Sequence, residues 1–469
     1  MKKLFLLTAL ILAHSYAFPA FLKDYAALKG TSVFSESHYI SYADEKTARG
    51  GGLFSWDGAD TRQEVWGLII ASEGKPTGRW VRQDVTDLHP EWFGAMNKRI
   101  SSDQSPTFSA FGYSITEIQK RYSRLIPDIT LNDTPDWAAL QMMCRLQEVG
   151  WNSIELNSDT FYINRTIQLP EPVKQSAVVH YQLEGNGATF ISVSTKGFPL
   201  LYSMPDNQKQ SENVFCARRF TIRNLILKGN TKSNGDVGIA IGGTFHTLIE
   251  NIQLAGLDTG VLLLHALSSI ITRCNAVGCT SVSYYIGSGN GRWMNANATN
   301  SGSNQSKVTS CRQFSGDSQY AGVIIRESSE CRVEDFTLDG GGKRHTAYAI
   351  YIDTRGATTV KDGYVKGIHG EAAVDSALVK FRGSAALFEV EDVFVQYPCT
   401  LVELDAMTGA SQVTCSAFSY YPGGSDFANK GNGKWLFDNV NGKSKTINWK
   451  NGNGYGPPVT SKLTDNKKL

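Results

Sequence analysis

The chain has 469 residues, enough for one large domain or for two or three ordinary ones. Its 46 basic and 44 acidic residues leave a formal charge of +2, which argues against nucleic acid or an anionic membrane surface as a partner drawn in by bulk charge. Glycine is frequent, at 45 residues, and is spread along the chain as turn punctuation; the low-complexity stretch is the polar "NANATNSGSNQS" at 295–306.

The first predicted element is an export signal. "MKKLFLLTALILAHSYA" has a Lys2–Lys3 head, an apolar run from Leu4 to Ala13, and Ser15-Tyr16-Ala17 as a small-x-small cleavage site. The apolar run is too short to span a bilayer. A secreted protein beginning near Phe18, after cleavage at Ala17, is expected, and no later segment is apolar enough to insert in a membrane. Residues 18–95 are assigned to a small module and linker, and 96–134 to a connecting segment. Next, "PDWAALQMMCRLQEVG" (135–150) predicts a short amphipathic helix with Asp136 as its cap and Gly150 as its stop. The first strands follow through "IELNSDTFYI" (154–163) and "YQLEGNGAT" (181–189).

From there to residue 445 one pattern repeats, as in "TIRNLILKG" (221–229), "LIENIQLAG" (248–256), "IITRCNAVG" (270–278), "KVTSCRQFS" (307–315), "RVEDFTLDG" (332–340), "TVKDGYVKG" (359–367), "EVEDVFVQY" (389–397) and "QVTCSAFSY" (412–420). The central residues are Asn224, Asn251, Arg273, Ser310, Asp335, Asp362, Asp392 and Cys415, followed by Asn439 in "LFDNVNG". A repeat of about 22–30 residues, built of short β-rich runs without a helical stripe, is the mark of a solenoid. Each turn has too little apolar surface to fold alone and must stack on its neighbours. Two positions before the centre lie Ile222, Ile249, Ile271, Val308, Val333, Val360, Val390 and Val413, an expected inward column; Leu225, Ile252, Cys274, Cys311 and Phe336 form a second. Of the eight cysteines, Cys274 and Cys311 therefore fall inside, as a disulfide or as stacked thiols serving as small hydrophobes. The central Asn/Asp ladder is assigned to backbone turns rather than to catalysis.

These repeats resemble the right-handed parallel β-helix of the pectate lyase superfamily, particularly the branch of phage tailspikes and related polysaccharide depolymerases (rhamnogalacturonase/epimerase-like). The helix at 135–150 and its following strands resemble that branch's opening. "DYAAL" (24–28), "GGGLFSWDG" (50–58), "GRWVR" (78–82) and "EWFGA" (91–95) resemble its small N-terminal β-rich module. The resemblance implies an all-β chain, a single-stranded right-handed β-helix over 135–445 with an N-terminal capping helix, and a polar tail at 446–469. It also implies a polysaccharide partner, either monomeric or homotrimeric assembly, and a virion location as the alternative to secretion.

Candidate chemistry lies on the other strand of each turn: "GIAIG" (238–242), "VLLLH" (261–265), "GVIIR" (322–326), "AIYID" (349–353), "LVKFR" (378–382) and "LVELD" (401–405). With Ile350 and Ile352 inward, alternation turns Tyr351 and Asp353 outward, together with Arg326, Lys380, Arg382, Glu403 and Asp405. Earlier turns offer Ala240, Gly242 and Leu263. The expected face is solvent-exposed and rich in charge, fit either for sugar binding or for stabilising the stack. Flanking loops bring Lys343, Arg344 and His345, then His369, Glu371 and Asp375; the polar insert brings Arg292 and Trp293, a stacking platform for a sugar ring.

Two reactions fit these residue types. Hydrolysis needs two carboxyls, and Asp353 and Asp405, two turns apart, suit an inverting pair, with Glu403 or Glu371 as substitutes and Arg382 between them. Elimination from a uronate needs a cation for the carboxylate and a Lys, Arg or Tyr for the proton, which Arg326, Lys380, Arg382 and Tyr351 supply. Hydrolysis is favoured because opposed carboxylates recur on the face. Arg326, Tyr351, Arg344, His345, His369, Glu371 and Trp293 are assigned to substrate binding. No cofactor is expected: the dense aspartate cluster of calcium-dependent lyases is missing, as is the hydrolase signature of polygalacturonases. A glycan-binding adhesin would use the same groove without turnover.

Overall fold

The computed structural model describes residues 19–353, except 36, 84, 102–103, 151–152, 171–178, 205–217, 231–234, 288–302, 315–319, 329 and 340–347, and beyond 353 the backbone of eight strands, with side chains at 378–382. The predicted export signal, the polar insert with Arg292 and Trp293, and Val360 lie outside the described residues, as do Lys343, Arg344, His345, Glu371 and Asp375. Two compact units divide the chain, Met1–Ile154 and Glu155–Leu469.

The N-terminal unit holds a five-stranded sheet in the order Ala20–Leu22, His38–Tyr42, Gly50–Asp57, Arg79–Arg82, Ile69–Ala71, with the first pair parallel and the rest antiparallel. Tyr25, Leu28, Ile40, Phe54, Ile70 and Trp80 form its core. Gly50 sits at φ +80°, and a Cβ there would lie 2.0 Å from the Glu91 carbonyl oxygen, so the glycine run is needed for close backbone approach. Buried Arg82 donates to the carbonyls of Gly67, Gly51 and Gly50 at 2.6, 2.7 and 2.9 Å, and its guanidinium lies over the rings of Phe54 and Trp92. Polar backbone and π faces together replace the water this cation has lost.

The helix expected at 135–150 spans Pro135–Gln147 and belongs to this unit. Two expectations are corrected. Its cap is Thr134, whose side chain accepts from Trp137 N at 3.2 Å, while Asp136 reaches back to accept from Met96 N and Asn97 N at 2.7 and 3.0 Å. It is not amphipathic: every residue except Arg145 is buried.

The second unit is a solenoid of two parallel sheets of 11 and 14 strands, between which the chain alternates. In the 14-stranded sheet the inward column of Ile222, Ile249, Ile271, Val308 and Val333 is no more than 1% exposed, and Leu225, Ile252, Cys274, Cys311 and Phe336 form its companion. Burial of such columns against the facing sheet stabilises each turn by roughly 1.5–3 kcal/mol per large side chain. Between the two columns the chain turns through the left-handed region at Asn224, Asn251, Arg273, Ser310 and Asp335 (φ +50 to +58°). Asn251 Nδ2 donates to Asn224 Oδ1 at 2.7 Å, and Asn224 Nδ2 to Glu184 Oε1 at 2.7 Å, a ladder that supports these turns.

The repeat register differs from expectation at three places. Glu334 pairs with Lys366 and Phe336 with Ile368, so Gly367, not Asp362, stands opposite Asp335. Glu391 pairs with Ser416 and Val393 with Phe418, so Ala417, not Cys415, stands opposite Asp392, and Cys415 pairs with Val390 in place of Val413. On the other sheet Leu263 pairs with Ile241 and Ile286 inside, and Leu262 and Leu264 take the outward positions. Among the described cysteines, Cys144, Cys274, Cys279, Cys311 and Cys331 are buried free thiols, so Cys274 and Cys311 are stacked rather than bonded.

Candidate functional site

Parallel pairing in the 11-stranded sheet fixes two outward columns. One runs Tyr202, Ala240, Leu262, Tyr285, Ile324, Tyr351, Lys380, Glu403. The other runs Gly242, Leu264, Gly287, Arg326, Asp353, Arg382, Asp405, Lys430. The expected alignment of Arg326, Asp353, Arg382 and Asp405 is thus a hydrogen-bonded register, with neighbours about 4.8 Å apart. Along it the charge alternates in sign over five rungs. The early rungs are apolar: Ala240, Leu262, Leu264 and Tyr285 form a buried cluster with Met204, Val237 and Val282.

The face is not the exposed patch expected from alternation. Asp353 is 3% exposed, Tyr351 6% and Lys380 9%. Their neighbours cover them: Tyr351 donates through its hydroxyl to Asp353 Oδ2 at 3.2 Å, and the rings of Tyr348 and Tyr351 stack at 5.7 Å. Arg326 keeps 43% of its side chain exposed and lies 3.7 Å from Glu327. Glu403 and Asp405 are placed by backbone register, as is His369, which pairs with Thr337 and Phe394 on the 14-stranded sheet; the side chains of these three lie outside the described residues.

Tyr320 and Tyr348, which alternation did not select, complete the cluster. Tyr348 N–H donates to the Tyr320 carbonyl at 3.1 Å, bringing the starts of two successive strands together. The Tyr320 ring stands nearly perpendicular to those of Tyr348 and Tyr351, 5.6 Å from each. Lys380 Nζ donates to the Tyr348 hydroxyl at 3.1 Å and lies 4.9 Å from the centre of that ring. The sequence does carry a signal, a tyrosine beside alanine at the head of two successive strands ("YAGVIIR", "YAIYID").

Burial is the first cause of the shifted acidities here. It pushes Tyr351 up to about 12, opposed by a hydrogen bond with Arg382 and reinforced by the Asp353 charge. Tyr285 also rises to about 12 by burial, opposed by the Arg326 guanidinium. Burial raises Tyr320, with Lys380 among the opposing charges, and lowers His265 against the pull of Glu327. These tyrosines are therefore neutral hydroxyls at ordinary pH. Among the described residues, no group of three or more His, Cys, Asp or Glu converges to hold a metal ion.

No protein-family model matches the chain, and no curated protein matches it in sequence. Solved structures do match it in fold. The tailspike of Acinetobacter phage vB_ApiP_P1 superposes with a TM-score of 0.56 at 10% identity, over 97% of this chain and 77% of that one. The gp42 tailspike of Acinetobacter phage vb_AbaP_AS12 gives 0.53 at 12% identity, over 97% and 78%. The tailspike of Acinetobacter baumannii phage AM24 gives 0.51 at 14% identity over 88% of this chain, which spans 65% of that protein's length. With its mostly β content, its two long parallel sheets and these likenesses, the chain has the fold of a tailspike-like parallel β-helix.

Proposed function

We propose that this chain is a polysaccharide depolymerase that cleaves an acidic glycan by β-elimination at the Tyr348–Lys380 cluster. The class of substrate is supported by the tailspike-like fold together with the depolymerase resemblance of the repeats. The reaction is carried by one observation: Lys380 Nζ lies 3.1 Å from the Tyr348 hydroxyl, beside Arg382 and within the tyrosine cluster. In this reading Arg326 and Arg382 hold the sugar carboxylate, where guanidinium geometry gives paired hydrogen bonds. The proton beside that carboxylate passes to the Tyr348 oxygen acting as a tyrosinate, whose charge the Lys380 ammonium balances, and the hydroxide left when water protonates the leaving oxygen takes that proton back. The C–O bond to the next sugar breaks, and its oxygen takes a proton from water. Asp353, 3% exposed between two arginines in register, orients Tyr351 and Arg382.

Inverting hydrolysis is the second reading, favoured by the register. Asp353 and Asp405 lie two rungs apart, roughly 9–10 Å by strand spacing, at the upper edge of the about 6.5–9.5 Å that such pairs span. Burial of Asp353 weighs against it, because a carboxyl that protonates a leaving group or activates water must reach both. Either reaction sets the protein to work outside the producing cell, as a secreted protein or on a virion, and as a monomer or homotrimer. Purified protein is incubated with alginate, polygalacturonate, hyaluronate and bacterial capsular polysaccharides, and reducing ends and ultraviolet absorbance are followed together. Elimination predicts that both rise in step. Reducing ends without absorbance support hydrolysis, and binding without product supports a glycan-binding adhesin.

A further inference from the structure

We infer that Tyr320 is the sugar-stacking residue of this site, fixing the ring of a bound sugar beside Lys380 and Arg382; this rests on the polysaccharide reading above. Nearly half of Tyr320, 47%, is exposed, whereas Tyr351 one strand later is 6% exposed. An exposed aromatic ring is ordinarily mobile and uninformative. Tyr320 is held: its ring packs at 76° against Tyr348 and 86° against Tyr351, both centroids 5.6 Å away. Its backbone is tied on both sides, the N–H to the Ser281 carbonyl at 3.0 Å and the carbonyl to Tyr348 N–H at 3.1 Å. A rigid, partly open ring costs little entropy to use as a contact surface. Its surroundings point the same way. Lys380 Nζ lies 3.1 Å from the Tyr348 hydroxyl and 5.8 Å from the centre of the Tyr351 ring, the two rings that Tyr320 packs against, and Arg382 follows two residues later on the same strand, so a ring laid on Tyr320 has its anionic substituent beside these cations. The apolar face of a sugar and its charged edge then have separate partners, which is how a small polar set orients a ligand.

The test is affinity electrophoresis through gels containing alginate, polygalacturonate or hyaluronate, with the wild-type chain and the variants Tyr320→Ala, Tyr320→Phe and Tyr320→Trp, each checked for a wild-type circular dichroism spectrum. Retardation of the wild type in at least one gel is expected, with Kd weakened about tenfold in Tyr320→Ala and held within about threefold in Tyr320→Phe and Tyr320→Trp. On any gel polymer that is cleaved, Tyr320→Ala raises KM and leaves kcat within about twofold. Equal retardation of wild type and Tyr320→Ala overturns the stacking role and leaves the proposed function standing. Loss of binding in Tyr320→Phe as large as in Tyr320→Ala overturns it too, because the ring would then not be the contact. A wild type that runs freely through all three gels and through gels of the bacterial capsular polysaccharides, and cleaves none of these polymers, overturns both.

Discussion

At the scale of single residues, the structure gives similar side chains different work. Tyr351 is buried and bonded to Asp353, and in the proposed reaction it positions, while half-buried Tyr348 carries the Lys380 contact. Substituting Tyr348→Phe or Lys380→Gln is expected to lower kcat about a hundred- to ten-thousandfold while binding persists, since a proton acceptor is worth that much. Equal losses of kcat and affinity would instead mark these residues as binding contacts only. Tyr351 and Tyr285 also predict a pH dependence of stability. Both pKa values rise to about 12 in the folded chain, against about 10 when unfolded. The folded state therefore holds those protons more tightly, and the stability they contribute is full below pH about 10 and lost as pH rises toward about 12. Melting temperature measured from pH 8 upward should fall through that window, and Tyr351→Phe should flatten the fall. An unchanged slope in the variant would contradict the assignment.

At the scale of elements, the repeating turn is the unit that the side chains specify. Asn251 sits at φ +52° and donates to Asn224, so Asn251→Ala should cost about 1–2 kcal/mol in chemical denaturation, and Asn251→Gly less. Equal losses would show that the bond matters and the backbone conformation does not. The interior columns make a second prediction. Cys144, Cys274, Cys279, Cys311 and Cys331 are at most 3% exposed, and burial pushes the thiols of Cys144 and Cys279 up to about 12. Mass spectrometry after maleimide treatment should find these five unlabelled in the native protein and labelled after denaturation; native labelling of Cys274 or Cys311 would contradict the interior column. Much of this was legible in the sequence, because inward apolar residues at a fixed offset from an Asn or Asp define a rung. The register of Arg326, Asp353 and Arg382 followed from aligning the other strand of each turn, "GVIIR", "AIYID" and "LVKFR". Three things were not legible. "TVKD" mimics "RVED", yet the pairing sets Gly367, not Asp362, opposite Asp335, and glycine suits the left-handed backbone that Asp335 adopts. Burial of Asp353 depends on the ring of a neighbouring tyrosine, which alternation within one strand cannot report. Tyr348 was passed over because strict alternation sends it inward with Ile350 and Ile352, whereas at the head of the strand it meets Lys380 instead.

At the scale of the molecule, stacking converts a sequence period into a surface: one outward face that is apolar over its early rungs and charged over its later ones. Residues about 27 positions apart in the chain become neighbours about 4.8 Å apart, so a site can be assembled without any contiguous motif. Stacking also makes the charged column ambiguous by itself, since rungs of alternating sign stabilise parallel pairing whether or not they act on a sugar. The tyrosine cluster beside it is the observation on which the proposed site rests. The most direct measurement is ultraviolet absorbance of unsaturated uronate, followed alongside reducing ends, for the wild type, Tyr348→Phe, Lys380→Gln and Asp405→Asn on one cleaved polysaccharide. Elimination at Tyr348–Lys380 predicts absorbance from the wild type and from Asp405→Asn, and near-complete loss in the other two. Reducing ends that form without absorbance and vanish in Asp405→Asn would contradict it and assign the chemistry to the carboxylate pair.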